Sequence, residues 1–456
     1  MQIKSVHFLH IVCRIRQVVP SDDFRMEIWY NFFDYAMERL WMNINLLTIG
    51  STGDVRPFIL LGKELKARGH GVTVSAFPKF RETVRSASLD FFPLDGDAER
   101  MISSVMQPDT NGFTYLPRLL NNLRSIIPGL LRSLQDSCEN ADAMVCNFFG
   151  TVFYSIAEIY DIPCIQTCFF PMDPTKEIPI SSIRNQRLGY GANIASYKLG
   201  YLIMSLLENY YLSSWRKQNH LAAGKVRTRP DYRLGTHSIH VIYAISPSLL
   251  PRPSGWGDGI YMSGFLFDES PCDYTPPKEL SAFLESASPV IYIGFGSMNA
   301  GDMNRLITII LRAVRATSIK AVISPGWSGR QFRSNSKVFF TREYIPHDWL
   351  FPIMDAVVHH GGAGTTSAGL RYGKPTLVIP FAGDQPFWAN RVYRCGCGPK
   401  PIPRESLSVR KLVAGILDLL SQKKYAVNAQ RMASMMAKEH GVRTAADLIE
   451  KEITEW

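Results

Sequence analysis

Long hydrophobic runs are what this chain most plainly lacks: no stretch approaches the ~18 consecutive apolar residues that a membrane-spanning helix needs. Paired cysteines are missing too. Cys13, Cys138, Cys146, Cys164, Cys168, Cys272, Cys395 and Cys397 lie scattered, and none has the paired spacing of a zinc site. They read as the reduced thiols of a cytoplasmic protein, because a chain of this size needs no disulfide staples. No signal peptide is expected at the amino terminus, since Lys4, His7, His10 and Arg14 interrupt its apolar residues. No dense Lys/Arg cluster with interleaved aromatics is present, so nucleic acid is not an expected partner. The net charge of +10 suits anionic substrates or an anionic membrane surface, and equally a merely soluble basic surface. With 456 residues, 46% of them apolar, the chain is too long for one core and suits two domains.

What is present centres on Val357 to Gln385. Met354 to Val358 is a short apolar run of strand type, and His359-His360-Gly361-Gly362-Ala363-Gly364 turns tightly into a helix opened by Thr365 and Thr366. Gly373-Lys374-Pro375 ends that helix, and a buried strand from Thr376 leads to Asp384-Gln385. Glycines between a strand and a helix N-terminus leave free N–H groups at the positive end of the helix dipole, which favours a phosphate. Such turns also occur for packing alone. Here the company narrows the reading, because an Asp-Gln pair at the carboxyl end of the next parallel strand faces the same crevice. Its acceptors and donors can hold several sugar hydroxyls while the loop holds a diphosphate.

This wording, His-His-Gly-Gly-Ala-Gly-Thr-Thr followed by Pro-Phe-Ala-Gly-Asp-Gln, resembles the nucleotide-sugar signature of the UDP-glycosyltransferase family of GT-B fold. It is most similar to the branch of sterol 3β-glucosyltransferases and bacterial antibiotic glycosyltransferases. The resemblance runs from about Asn43 to the C-terminus and is densest in the second half.

Taken in order, residues 1–41 stand apart as a dispensable extension or a mistaken start. Within them Glu27 to Trp41 can form an amphipathic helix, the candidate for peripheral membrane contact. From Met42 an α/β pattern begins: strand Ile44–Ile49, loop Gly50–Asp54, a helix with Pro57 in its first turn, then strand Val72–Ala76. Further strands are expected at Phe91–Leu94, Ala143–Cys146, Cys164–Thr167 and Ile239–Ser246, and an aromatic-rich helical stretch at Ile183–Leu221. Leu249 to Pro277, with five prolines, reads as an interdomain linker. Strands at Pro289–Ile293, Lys320–Ile323 and Val338–Phe340 then repeat the first pattern. The fold class is therefore α/β, with two doubly wound Rossmann-like domains facing a central cleft, the GT-B arrangement. The resemblance assigns 42–248 to the acceptor, 249–277 to the linker, 278–430 to the nucleotide sugar, and 431–456 to a helical segment bracing the first domain.

The implied reaction moves glucose from UDP-glucose, with inversion, to a hydroxyl of a lipophilic acceptor, either a sterol or a small phenolic or polyketide. Asp54, in the loop with Ser51 and Gly53, matches the branch's catalytic base, while Asn147 stands where other branches carry an Asp that supports a His. Asp54 also has a plain reading as a helix-capping residue, and Arg56 beside it reads as a solvated charge. Gly296 and Ser297 would meet the diphosphate. His360, with the N–H groups of Gly362, Gly364, Thr365 and Thr366, would stabilise departing UDP. His359 reads as structural. Tyr344-Ile345-Pro346, with His347 or Trp349 nearby, would hold the base, and Asp384 with Gln385 the hexose. Ala368 replaces the plant branch's ribose-binding Glu, which leaves UDP against TDP open. No Asp-x-Asp motif stands near these elements, so neither metal nor cofactor is expected.

Two other functions share parts of this pattern. A nicotinamide oxidoreductase would want Gly-x-Gly-x-x-Gly and an acidic residue ending the second strand, and the chain has neither. An inactive sugar-nucleotide binder has less need of Asp54 and Asp384-Gln385.

Overall fold

The computed structural model describes residues 41–97, 124, 126–147, 151–183, 188–221, 233–234, 237–285, 288–296, 303–324, 332–341 and 343–456. The segment expected to be amphipathic at Glu27–Trp41 lies outside them, apart from Trp41.

The apolar runs pair as parallel strands. β1 (Asn43–Leu47), β2 (Gly71–Ala76), β3 (Asp90–Pro93), β4 (Ala143–Cys146), β5 (Cys164–Cys168), β6 (Val241–Tyr243) and β7 (Ile260–Met262) form one sheet in the order β3-β2-β1-β4-β5-β6-β7. β8 (Val290–Gly294), β9 (Lys320–Ser324), β10 (Val338–Phe340), β11 (Ala356–His359) and β12 (Thr376–Val378) form the second, ordered β10-β9-β8-β11-β12. Both orders reverse direction beside the first strand, and that switch point is where such sheets bind ligands. In the first sheet the reversal lies between β1 and β4. In the second it lies between β8 and β11, where Gly294 is in register with His359.

Each sheet carries its own core, because strands buried on both faces are almost wholly apolar. Helix α1 (Thr52–Ala67) packs Phe58, Leu61 and Leu65 onto the first sheet. The chain's last helix, Gly441–Glu455, adds Ala445, Ala446, Ile449 and Ile453 to that same core. Arg68 at the end of α1 pins it, reaching Asp447 at 2.6 Å and Glu450 at 3.0 Å. Between the sheets, Tyr243 stacks on Trp256 at 4.4 Å, and Phe265 meets Trp388 at 5.8 Å.

Two expectations shift. The proline-rich stretch 249–277 is not all linker: Ile260–Met262 within it pairs with β6 as the sheet's edge strand, β7. Three residues of strand between turns are too short for a visible alternation. The helical stretch expected at Ile183–Leu221 resolves to helix α2 (Tyr190–Gln218), which starts after Gly189, a residue at φ +88.

Candidate active site

On the first-domain side, β1 runs out through Thr48-Ile49 to Gly50 at φ +152, where an added Cβ would lie 2.3 Å from the Asp54 carboxylate. Only glycine fits. Ser51 caps α1 and shares a capping box with Asp54: Asp54 Oδ2 accepts from the Ser51 N–H at 2.7 Å and from its hydroxyl at 3.0 Å. The capping reading of Asp54 is thus real, although the cap itself is Ser51. Burial in the cleft pushes the Asp54 carboxyl above the usual carboxylate range, and the Ser51 bonds oppose this only in part.

Asn147, at the end of β4, holds that turn in place. Its amide brackets Ile49, accepting from the Ile49 N–H at 3.2 Å and donating to the Ile49 carbonyl at 2.8 Å. A carboxylate cannot do both, which is a physical reason for Asn rather than Asp.

On the facing domain, β8 leads to Gly296 at φ +58, and β11 leads to His360 and to Gly361 at φ +95. The His360 ring lies between two glycines. A Cβ on Gly296 would sit 2.8 Å from its Cε1, and one on Gly362 would sit 2.5 Å from its Nε2. Burial pushes His360 down to about 4, so the ring is neutral, and its Nδ1 is buried without a hydrogen-bond partner. His359 is fully buried and accepts from the Gly361 N–H at 2.9 Å, consistent with a structural role. Ser297 lies outside the described residues.

Helix α3 (Ala363–Arg371) starts at Gly362 with no side-chain cap. The N–H groups of its first turn have no partner within the helix. Beside Gly364 there is open space, with nothing within 4 Å of its Cβ position. Thr366 is a correction: its N–H already bonds the Gly362 carbonyl at 3.0 Å and its hydroxyl donates there at 2.9 Å. The fourth helical N–H has an intrahelical acceptor, so Thr366 has nothing to offer a phosphate.

β12 ends in a turn to helix α4 (Gln385–Arg394), with Asp384 at its N-cap. The Trp388 indole N–H donates to Asp384 Oδ2 at 2.7 Å. Burial lifts the Asp384 carboxyl to about 6, the Trp388 bond opposes the rise, and the charge of Asp54 adds to it. The two carboxylates therefore feel each other across the cleft. Gln385 is buried and its Oε1 accepts from the Phe381 N–H at 2.8 Å and the Ala382 N–H at 3.2 Å, so its carbonyl is committed to the turn.

The segment expected to hold the base is only partly presented. Ile345 is buried in one apolar cluster with Leu350, Val357 and Ala368, so it is the backbone of Ile345 that is on offer to a base. His347 stacks on Phe351 at 4.3 Å, and burial holds it down at about 3. Tyr344 is 60% exposed.

Comparison with known proteins identifies the family and the fold. The Glycosyltransferase family 28 N-terminal domain matches residues 44–178, and the Erythromycin biosynthesis protein CIII-like, C-terminal domain matches residues 335–450. One sterol 3-beta-glucosyltransferase of Arabidopsis thaliana is 35% identical over 90% of this chain, and a second from the same plant is 32% identical over 90%. The chain belongs to the sterol 3-beta-glucosyltransferase family. It spans 66% and 68% of the length of these two relatives. The crystal structure of the glycotransferase of kitacinnamycin aligns with a TM-score of 0.66 at 19% identity, covering 90% of this chain and 98% of that one. At that identity the shared property is the GT-B fold.

Within this glucosyltransferase relative, three features escaped the sequence. Trp388 follows Asp384 by one helical turn, a spacing that could have disclosed their bond. Asn147 clamps Ile49, which only the register of β1 and β4 reveals. Arg56 is no solvated charge: it donates to the Tyr344 hydroxyl and pairs with Asp348 at 3.0 Å, across the cleft. Among the described residues no group of three or more His, Cys, Asp or Glu could hold a metal ion.

Proposed function

We propose that this chain transfers glucose from UDP-glucose to the hydroxyl of a sterol or a similarly lipophilic acceptor, with inversion at the sugar. The observation that carries the reading is one cleft with a half-buried carboxylate on one wall and an uncapped helix N-terminus beside neutral His360 on the other. Asp54 would take the acceptor proton, its raised basicity suiting a general base. The Ala363, Gly364 and Thr365 N–H groups, with His360, would receive the diphosphate as it gains charge. Gly296 leaves room beside that ring, and Ser297 would add a hydroxyl. Asp384 would accept from hexose hydroxyls, and Tyr344 with His347 would flank the base. An acceptor panel with UDP-glucose, sterols beside flavonoids and anthraquinones, read by mass spectrometry, tests this. Absence of any glucoside from sterol-like acceptors counts against it.

Such an acceptor resides in a membrane, and the chain would reach it by peripheral contact. Among the described residues no helix is long and apolar enough to cross one. Helix α2 nevertheless exposes Leu199, Leu202, Ile203, Leu206 and Tyr210, each at least 49% accessible, on consecutive turns of one face. Lys198 and Lys217 flank them, which fits an anionic surface. Co-flotation with anionic vesicles, lost in Leu202→Glu and Leu206→Glu, is the expected result.

A further inference from the structure

Arg56 follows Asp54 by two residues in the first turns of α1, yet its guanidinium leaves the first domain altogether. Nη2 reaches Asp348 Oδ2 at 3.0 Å, Nη1 donates to the Tyr344 hydroxyl, and the guanidinium carbon lies 5.8 Å from the Tyr344 ring centre. Asp348 is itself held, since its Oδ1 accepts from the Tyr372 hydroxyl at 3.2 Å. Tyr372 ends helix α3, whose other end is the phosphate-type N-terminus.

A second contact runs in parallel. Lys63 lies two helical turns beyond Arg56 and so on the same face of α1. Its ammonium approaches Asp268 at 4.0 Å, and the Asp268 carbonyl accepts from Arg371 Nη2 at 3.1 Å. Arg371 also belongs to helix α3, and lies over Phe267 at 4.3 Å. One face of the helix that carries Asp54 is therefore fastened directly to Tyr344 and Asp348, and through Asp268 of the linker to Arg371 of helix α3.

We infer that Arg56 is a positioning residue, tying the turn that carries Asp54 to Tyr344 and Asp348 so that the base-holding segment and the proton-accepting carboxylate move together. The inference rests on the roles proposed above for Asp54 and the Tyr344 segment. Arg56 is 40% exposed and Asp348 20%, and an ion pair this open contributes little to folding. Its consequence for rate is larger, because displacing a reacting group by about 1 Å can cost on the order of 10²-fold. Guanidinium geometry is part of the design. The fork serves a hydroxyl and a carboxylate at once, which a lysine ammonium on a flexible stem reproduces poorly.

The test compares wild type with Arg56→Ala, Arg56→Lys, Asp348→Asn and the double variant Arg56→Ala/Asp348→Asn. Donor kcat/KM, UDP affinity by calorimetry and apparent Tm are measured on each. Arg56→Ala is expected to lower donor kcat/KM by about tenfold or more with Tm nearly unchanged, and Arg56→Lys to fall between it and wild type. The double variant should be no worse than Arg56→Ala, because contacting partners are not additive. Multiplicative losses, or an activity loss matched by a Tm loss in every variant, overturn the inference. An Asp54→Asn control separates the two readings. Inactive Asp54→Asn beside an unaffected Arg56→Ala overturns the Arg56 inference alone, whereas active Asp54→Asn overturns the assignment of the base and with it the role given to Arg56.

Discussion

The indole N–H of Trp388 donates to the carboxylate of Asp384 at 2.7 Å, one helical turn away. Trp388 is itself fully buried, wedged against Phe387 at 4.8 Å and Phe265 at 5.8 Å. The interdomain core thus fixes the direction of a carboxylate at the cleft, and that carboxylate sits at about 6.

Trp388→Phe keeps most of the ring packing and removes the donor. The hydrogen bond favours the charged carboxylate, so its loss moves the Asp384 pKa further up. The acid limb of donor KM should shift to higher pH and KM at neutral pH should rise by about fivefold or more, the lower end of the ~1–3 kcal/mol for an unmet buried hydrogen bond. Affinity for UDP, which has no hexose, should hold. An unmoved acid limb would separate Asp384 from donor binding.

Asp384→Asn tests the same group through stability. A carboxyl raised from 3.8 to about 6 holds its proton more tightly when the chain is folded. Its ionisation therefore costs stability, fully above about pH 6 and progressively less towards pH 4. The variant should show a higher apparent Tm than wild type at pH 7.5, a smaller gain at pH 5, and poor transfer. Equal gains at both pH values would place the effect elsewhere.

Asp54→Asn should abolish transfer while leaving UDP binding nearly intact, since it removes a base and changes little shape. Loss of a general base costs on the order of 10²–10⁴-fold. Turnover within a few-fold of wild type would move the base to another group.

His360→Ala should weaken UDP binding as well as rate. Its Nδ1 is buried without a partner, and the neutral ring stands beside the α3 N-terminus. Calorimetry that finds UDP affinity unchanged would remove His360 from the phosphate site.

The turns were legible in the sequence because glycine is the residue that adopts positive φ without strain. Gly50, Gly296 and Gly361, singled out as loop residues, all do so. What was not legible depends on distance along the chain. Arg56 meets Asp348 across 292 positions, and nothing local to either residue announces the other. Ile345 sits in an apolar, proline-bounded segment whose inward direction only its neighbours Leu350 and Ala368 decide. Thr366 failed for a countable reason: it is the fourth helical residue, whose N–H is the first to find a carbonyl inside the helix.

Gln385 is the residue proposed, with Asp384, to read the sugar, and its surroundings change what its removal should do. The adjoining Asp384 carboxylate can accept from two neighbouring hydroxyls, and a Gln amide can extend that recognition along the hexose edge. Yet Gln385 Oε1 already accepts from the Phe381 and Ala382 N–H groups. Gln385→Ala therefore loosens the turn that presents Asp384, besides removing the amide, and should lower both UDP-glucose use and thermal stability. Gln385→Glu keeps an oxygen for the two backbone donors and loses the amide donor, so it isolates the sugar contact from the turn. If the amide reads the hexose, Gln385→Glu should lose preference for UDP-glucose over UDP-galactose and UDP-xylose while its UDP affinity stays near wild type. If Gln385 serves only the turn, the Glu variant should keep the wild-type preference and the Ala variant should lose activity on all three donors alike. Competition among the three, run on wild type and both variants, decides between these outcomes. Equal use of all three by the wild type would refute glucose as the donor sugar whatever the variants did.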